Sequence, residues 1–496
     1  MRKGENFIKI LRSLDPVLCD SALFRKTFVV LLLFSGLCII DHWCFMLLIP
    51  LLVWAFFIFV RNYLYKGCLF RLRYRKVLYL FFGTALIGIL LHCTTNFAEN
   101  IYTLYTNAIL MFLFYGLHAV TSNSQVRKEM KTLLPLMGYL TTLFMLVSYG
   151  VLFFDKNGFT LWDYYFGIKE NRFVGIFTNA NILAFYAVMA IVFLHIDIRL
   201  KGQKGKCPKK YLILNGVCMA VNLLSLFLSD SNASLLFLMV YWCFILMFRF
   251  FGSLKHIHIG KFILRFGVWF LASAVLILGL FSLRSVSQST MSYILSIGTG
   301  QESPPITAEI PNNPLPLEQL SVYTVSATTE NQEITFNHEN TNIDSGRFKL
   351  WKQAVALFTR FPLFGIGHEN IVEYGKIYLG GLKFSDFHNG YLTILVSTGL
   401  IGLAIFVVFA VALAKGMMKV IFLTDDDKKD NGILSALVSF LAAYCVYSFF
   451  EITIFGTISY FMVILWLLLG YAVSYLFKYE KNMLKLCPKE KNKYKG

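Results

Sequence analysis

Apolar runs of membrane-crossing length recur from one end of the chain to the other, with short polar stretches between them. Twelve stand out, at about 27–41, 43–60, 77–93, 101–120, 133–153, 174–198, 211–228, 234–250, 262–283, 388–412, 432–449 and 458–477. A bilayer core takes about 20 apolar residues of helix. The pattern therefore predicts an all-α polytopic membrane protein with about twelve transmembrane helices. The first run is short and barely separated from the second, and a signal peptide is the alternative for it. No small-residue cleavage site follows, so cleavage is not expected.

Two connectors break the rhythm. Residues 154–173 form a polar segment ahead of the sixth run. Residues 284–387 form one large loop between the ninth and tenth runs. The chain thus divides into a membrane domain over 1–283, this loop, membrane helices over 388–477 and a basic tail over 478–496. Within the loop, 285–343 is rich in Ser, Thr, Asn, Pro and Glu, a composition of extended or mobile chain. Residues 345–360 change character. Phe348, Trp351, Val355 and Phe358 recur at helical spacing and predict an amphipathic helix with that apolar face. Pro362 and the glycines that follow end it.

Composition agrees with the pattern. The chain is 57% hydrophobic and 15% charged, with mean hydropathy +0.62, which excludes an ordinary soluble domain. The net charge of +18 acquires meaning from its placement. With the N-terminus inside, 36 of the 46 Lys and Arg fall in cytoplasmic segments. By the positive-inside rule this puts both termini in the cytoplasm and the large loop outside. Topology and anionic lipid account for the basic balance, and nucleic acid is not an expected partner. The ten cysteines are scattered without the spacing of a metal knuckle or a disulfide framework.

Candidate chemistry collects on the outer side. His388 opens the tenth run, and an imidazole there can take a proton from a hydroxyl. Read alone, it is more simply an interfacial anchor. Asn389 beside it can orient it or bind sugar. Arg172, Arg284 and Arg347 are among the few outer cations, and a guanidinium fork suits a diphosphate. The alternative for each is snorkelling to lipid headgroups. Asn179 and Asn181 place two amides in the outer half of the sixth run, for a substrate or for helix packing. Asp230 belongs to a short polar turn between the seventh and eighth runs. Glu369, Glu373 and Asp386 are alternatives to His388 as a base. Together with His368 they match no standard metal spacing. Outer aromatics (Trp162, Tyr164, Tyr165, Tyr374, Tyr378) are belt residues or sugar platforms.

These residues fall into a familiar arrangement. Arg347, Trp351 and the turn from Pro362 to Gly367, then His388-Asn389 with Leu392 and Gly399-Leu400-Ile401-Gly402, resemble the O-antigen ligase and polymerase superfamily of bacterial envelope proteins. Arg172 to Gly175 with Asn179 and Asn181 resembles a second segment of that family. One departure stands out. The family often has an arginine after the serine that follows its seventh span, and here Ser231 is followed by Asn232. That work would fall to Arg172, Arg284 or Arg347. The resemblance implies metal-independent glycosyl transfer without a cofactor, outside the bacterial cytoplasmic (inner) membrane. The donor would be a glycan on undecaprenyl diphosphate, held by Arg172 and Arg347. His388 would deprotonate the acceptor hydroxyl, which attacks with inversion. Asn389, Asn179, Asn181, Arg284 and Trp351 would contact substrate. Flippase and chain-length regulator proteins would be partners. The Ile-, Lys- and Phe-rich composition points to a low-GC Gram-positive source without lipid A core, which favours a capsule or exopolysaccharide polymerase over a ligase. A lipid-linked oligosaccharide transporter is the competing class. The one-sided loop, the lack of repeats and the near absence of acids within the spans, where Asp197 and Glu451 lie only near span ends, speak against it.

Overall fold

A computed structural model describes residues 18–155, 158–161, 164–202, 207–251, 258–297, 336, 346–382, 386–423 and 428–486. Helices fall on every one of the twelve apolar runs. They are α1 (Ser21–Phe34), α2 (Asp41–Ile58, continued by a π turn to Tyr65), α3 (Arg75–Leu91), α4 (Phe97–Phe114), α5 (Asn123–Phe154), α6 (Ala180–Gly202), α7 (Lys209–Leu228), α8 (Asn232–Phe250) and α9 (Ile259–Ile297). Two helices of the loop follow, α10 (Arg347–Arg360) and α11 (Ile371–Leu379). The last three are α12 (Gly390–Leu423), α13 (Lys428–Tyr447) and α14 (Tyr460–Leu486). Among the described residues seven helices are long and apolar enough to cross a membrane. The chain is a multi-pass membrane protein.

A helix that is apolar all round either sits inside the bundle or faces lipid, and both cases occur here. Helix α6 is the centre of the bundle, with the run Leu183–Ile196 buried on every side. Phe185 stacks there on Tyr447 and lies 4.1 Å from Phe461, centroid to centroid. Helix α9 is as apolar, yet nearly all of it faces outward. Its 39 residues give about 58 Å at 1.5 Å per residue, well beyond a hydrocarbon core of about 30 Å. Near the other end of the bundle Arg25 and Glu129 are fully buried and joined by two hydrogen bonds of 2.8 and 2.6 Å. The Tyr471 hydroxyl donates to the same carboxylate.

The sequence reading needs three corrections. Residues 285–297 were expected to be extended, but they continue α9. Met291 and Leu295 repeat at i and i+4 and are buried with Leu280, so the local period outweighs the polar composition. The rest of the expected mobile stretch, save the buried Phe336, lies outside the described residues.

The second correction is a set of strands within 159–175, where the sequence predicts none. Strands β1 (Phe159–Leu161), β2 (Tyr164–Lys169) and β3 (Arg172–Gly175) form an antiparallel meander. Glu170 and Asn171 both have positive φ, 52° and 57°, which is the two-residue hairpin turn that matches strand twist. Trp162 lies outside the described residues.

The third concerns α10. Its buried face is Leu350, Ala354 and Leu357, and the last two pack with Ile366, Ile371, Phe387 and Val396. Phe348 and Val355 of the expected face are exposed. Both stripes satisfy helical spacing, and the one with the small Ala354 allows the closer approach.

Helix α12 is broken at Gly399 (φ 69°, ψ −175°). In an apolar setting free backbone groups are costly, and the turn after α10 satisfies them. The amides of Leu400 and Ile401 donate to the carbonyls of Pro362 and Leu363 at 2.8 and 3.3 Å. The amides of Ile366 and Gly367 donate to the carbonyls of Val396 and Ser397, each at 3.0 Å. A Cβ on Gly399 would overlap the Leu363 backbone, and one on Gly365 would overlap Ser397. Both positions have positive φ. Two main chains meet here with no room for side chains, which fixes α10 and its turn to the membrane helix.

Candidate functional site

The break in α12 puts the first turn of that helix, and the residues ahead of it, beside the α13–α14 loop. Asp386 accepts the His388 amide at 2.8 Å. Asn389 caps α12 by accepting the amides of Tyr391 and Leu392 at 3.0 Å. His388 between them is held at φ 45°, a left-handed conformation that costs a non-glycine residue of order 1–3 kcal/mol. The Gly390 amide reaches the carbonyls of Ser448 and Glu451 at 2.7 and 3.1 Å. This docks the start of α12 onto the loop and brings the Glu451 side chain to His388.

Glu451 is the centre of the arrangement. One oxygen lies 3.5 Å from His388 Nδ1, and the other lies 3.7 Å from Arg347. Asp386 is also 3.5 Å from His388 Nδ1. The Glu451 hydrogen bond raises the imidazole above its ordinary value. Burial opposes this, the Asp386 and Glu451 charges add to the rise, and Arg347 works against it. Arg347 begins α10 behind the Gly346 cap, and its guanidinium also stands 5.9 Å from the Phe450 ring. Sequence reasoning placed Glu451 only as an acid near a span end. Its pairing with His388 depends on the docking of α12, which no local pattern announces.

Arg172 stands at the hairpin end of β3. Nε donates to the Ser229 carbonyl at 2.8 Å and one Nη to Asn181 Oδ1 at 2.6 Å. Burial lowers it, and among the charges it feels are Asp230, Glu170, Arg347 and Glu451. Arg284, on the extended part of α9, pairs with Asp230 and donates to Asn232 Oδ1 at 2.8 Å. Gln288 donates to the same Asp230 oxygen at 2.9 Å. The Ser229–Asn232 turn therefore ties two arginines from distant parts of the chain to one place.

The remaining expected residues divide by what they touch. Asn179 is not inside a span. It sits at the start of α6 and accepts the Ile182 amide at 2.9 Å. Asn181 lies in the first turn and orients Arg172. The oxygens of Asn389, Asn179 and Asn181 are thus all taken up by protein donors. Trp351 packs on Phe348, and its buried indole N–H meets no acceptor among the described residues. Glu369 accepts from Thr103 at 2.6 Å and its amide reaches Asn100, so it braces α4. Glu373 pairs with Lys376 in the open. His368 is half-buried, with 13% of its side chain exposed against 36% for His388, and burial lowers its pKa. His388 is the more accessible of the two histidines. Tyr374 hydrogen-bonds His92 at 2.8 Å, and Arg360 lies over Tyr378. Among the described residues no three of His, Cys, Asp or Glu come together as a metal site.

An accessible imidazole, an acid that holds it, and a set of guanidiniums suit proton removal from a hydroxyl next to a departing anion. Residues 217–407 match the model of a protein family described as O-antigen ligase. The match runs from α7 into α12. It takes in Arg284, Arg347 and His388 but not Arg172, Asn181 or Glu451. It supports glycan transfer of the O-antigen ligase or polymerase type. No curated protein matches the chain.

Proposed function

We propose that this chain polymerises undecaprenyl-diphosphate-linked oligosaccharide repeat units into a surface polysaccharide. The reaction is inverting glycosyl transfer at the outer face of the bacterial cytoplasmic membrane. The observation that carries this reading is Glu451, which holds His388 on one oxygen and Arg347 on the other. His388 takes the proton of the acceptor hydroxyl. The acceptor oxygen forms the new bond to the anomeric carbon as the bond from that carbon to the diphosphate oxygen breaks, and the electron pair leaves with the diphosphate. Arg172, Arg284 and Arg347 balance its charge. One such contact is worth roughly 2–4 kcal/mol in the transition state, and a positioned base contributes about 10²–10⁴-fold. No step calls for a metal or a cofactor. Twelve spans, with both termini in the cytoplasm and loop 284–387 outside, agree with the Lys and Arg distribution.

Transfer of the finished glycan to a lipid, protein or wall acceptor is the second reading, favoured by the description of the matching family. The test compares glycan length in a deletion strain complemented with wild type, His388→Ala or Arg347→Ala at matched membrane levels. Long chains with wild type and single repeat units with both variants support the polymerase. Long chains that stay on the lipid carrier identify a ligase. Wild-type behaviour of both variants removes the site.

A further inference from the structure

The end of the bundle opposite the candidate site holds a cavity of about 340 Å³, where α1 and α5 begin and the π turn after α2 ends. Its charged lining consists of Asp20, Lys26, Lys66, Lys128 and Glu129. Glu129 brings no net charge, because Arg25 neutralises it beneath the floor with two hydrogen bonds. Asp20 is the one acid left, and its carboxylate is engaged by the amides of Ala22 and Leu23 at 2.8 and 3.2 Å. Three lysines converge on that space, and Lys66 is steadied by Asn62 Oδ1 at 3.0 Å. Asn62 in turn donates to Ser21 at 3.0 Å. The site therefore has a built floor and an excess of positive charge over it.

Next to the lining residues along the chain stand side chains of the opposite character. Leu18 ahead of α1, Leu23 within it, and Leu64 and Tyr65 in the π turn just before Lys66 are exposed large apolar side chains. A soluble anion has no use for such neighbours, whereas a lipid with an anionic head does.

We propose that this cavity binds the phosphate-bearing headgroup of an anionic membrane lipid. Lys26, Lys66 and Lys128 hold the phosphate, and the acyl chains lie over Leu18, Leu23, Leu64 and Tyr65. The site is separate from the glycan-transfer reading and does not depend on it.

The test uses the full chain in detergent, with bound lipid counted by native mass spectrometry after titration with phosphatidylglycerol or phosphatidylcholine. Combined Lys26→Gln, Lys66→Gln and Lys128→Gln should weaken phosphatidylglycerol binding by about fivefold per lysine. The Lys→Arg versions should retain it. A control with Lys76, Lys209 and Lys210 changed to Gln, at the same end of the bundle, should leave binding unchanged. Size-exclusion profiles check that each variant is folded. Equal losses in the cavity and control variants would reduce the effect to general surface charge and overturn the proposal. Displacement of the lipid by millimolar inorganic phosphate, together with equal binding of a short-chain headgroup analogue, would overturn the lipid assignment in favour of a soluble phosphate.

Discussion

Glu451 stands 3.5 Å from His388 Nδ1, across the joint where the first amide of α12 is gripped by the carbonyls of Ser448 and Glu451 itself. The residue that tunes the imidazole is thus also part of the clamp that places it. A carboxylate at this distance favours the protonated ring, and the pKa is raised above 6.5 with the Glu451 bond as the largest cause. A base must be neutral to work, so turnover should rise with pH through a value above 6.5. In Glu451→Gln that limb should move to lower pH while the maximal rate falls. The measurement is kcat/KM against pH with purified protein and a lipid-linked oligosaccharide. An unmoved limb would separate Glu451 from the titrating group.

Arg347 on α10 pairs with Glu451, and Arg172 on β3 feels the charge of the same acid. Arg347→Lys keeps the charge but loses the fork, and should lower kcat by about 10²-fold. Asn181→Ala should act through Arg172 and cost less, about 10-fold. Rates at saturating donor check both, and a KM effect alone would make the arginines mere anchors.

Gly399→Ala should damage the fold before it touches chemistry. The added carbon enters the Leu363 backbone, and a backbone at φ 69°, ψ −175°, a region essentially reserved for glycine, costs an L-residue of order 1–3 kcal/mol. Thermal unfolding in detergent should show a lowered Tm, with less monodisperse protein recovered.

The buried Arg25–Glu129 pair gives a prediction with a sign. Removing one partner leaves an uncompensated charge, which costs about 3–5 kcal/mol. Arg25→Met should therefore be much less stable than wild type, and the double variant Arg25→Met with Glu129→Met should recover most of the loss. Unfolding midpoints of the three proteins decide it. Tyr471 would still find its hydroxyl without the carboxylate, so recovery should be incomplete.

How much of this was legible depended on the range of the interaction. Helices over all twelve runs follow from hydropathy, a local property, and so does the helix after Arg347. Its buried face did not, because two stripes fit the period and only the partner surface chooses between them. The β2–β3 hairpin was missed because Glu170-Asn171 is not the glycine-containing pair that announces such a turn. His388, Arg347 and Arg172 were picked out as ionisable groups at helix mouths. Glu451 was seen and left aside, since its role arises from a contact between α12 and a loop far along the chain. Asn389, Asn179 and Asn181 offer the sequence two readings each, a contact with substrate or a group that orients or packs, and their oxygens serve the backbone and Arg172. An amide near a helix start satisfies free amides of the first turn, and that demand exists before any substrate arrives.

The stitching of the Pro362–Gly367 turn into the gap of α12 also bears on how an enzyme built this way would open and close. A segment whose main chain completes a membrane helix is not free to swing as a lid. Arg347 rides on that segment and His388 on the helix it completes, so the cation and the imidazole are carried by one stiff frame. Selection among substrates then falls to the shape of a standing doorway, and the moving parts are the glycan and its lipid.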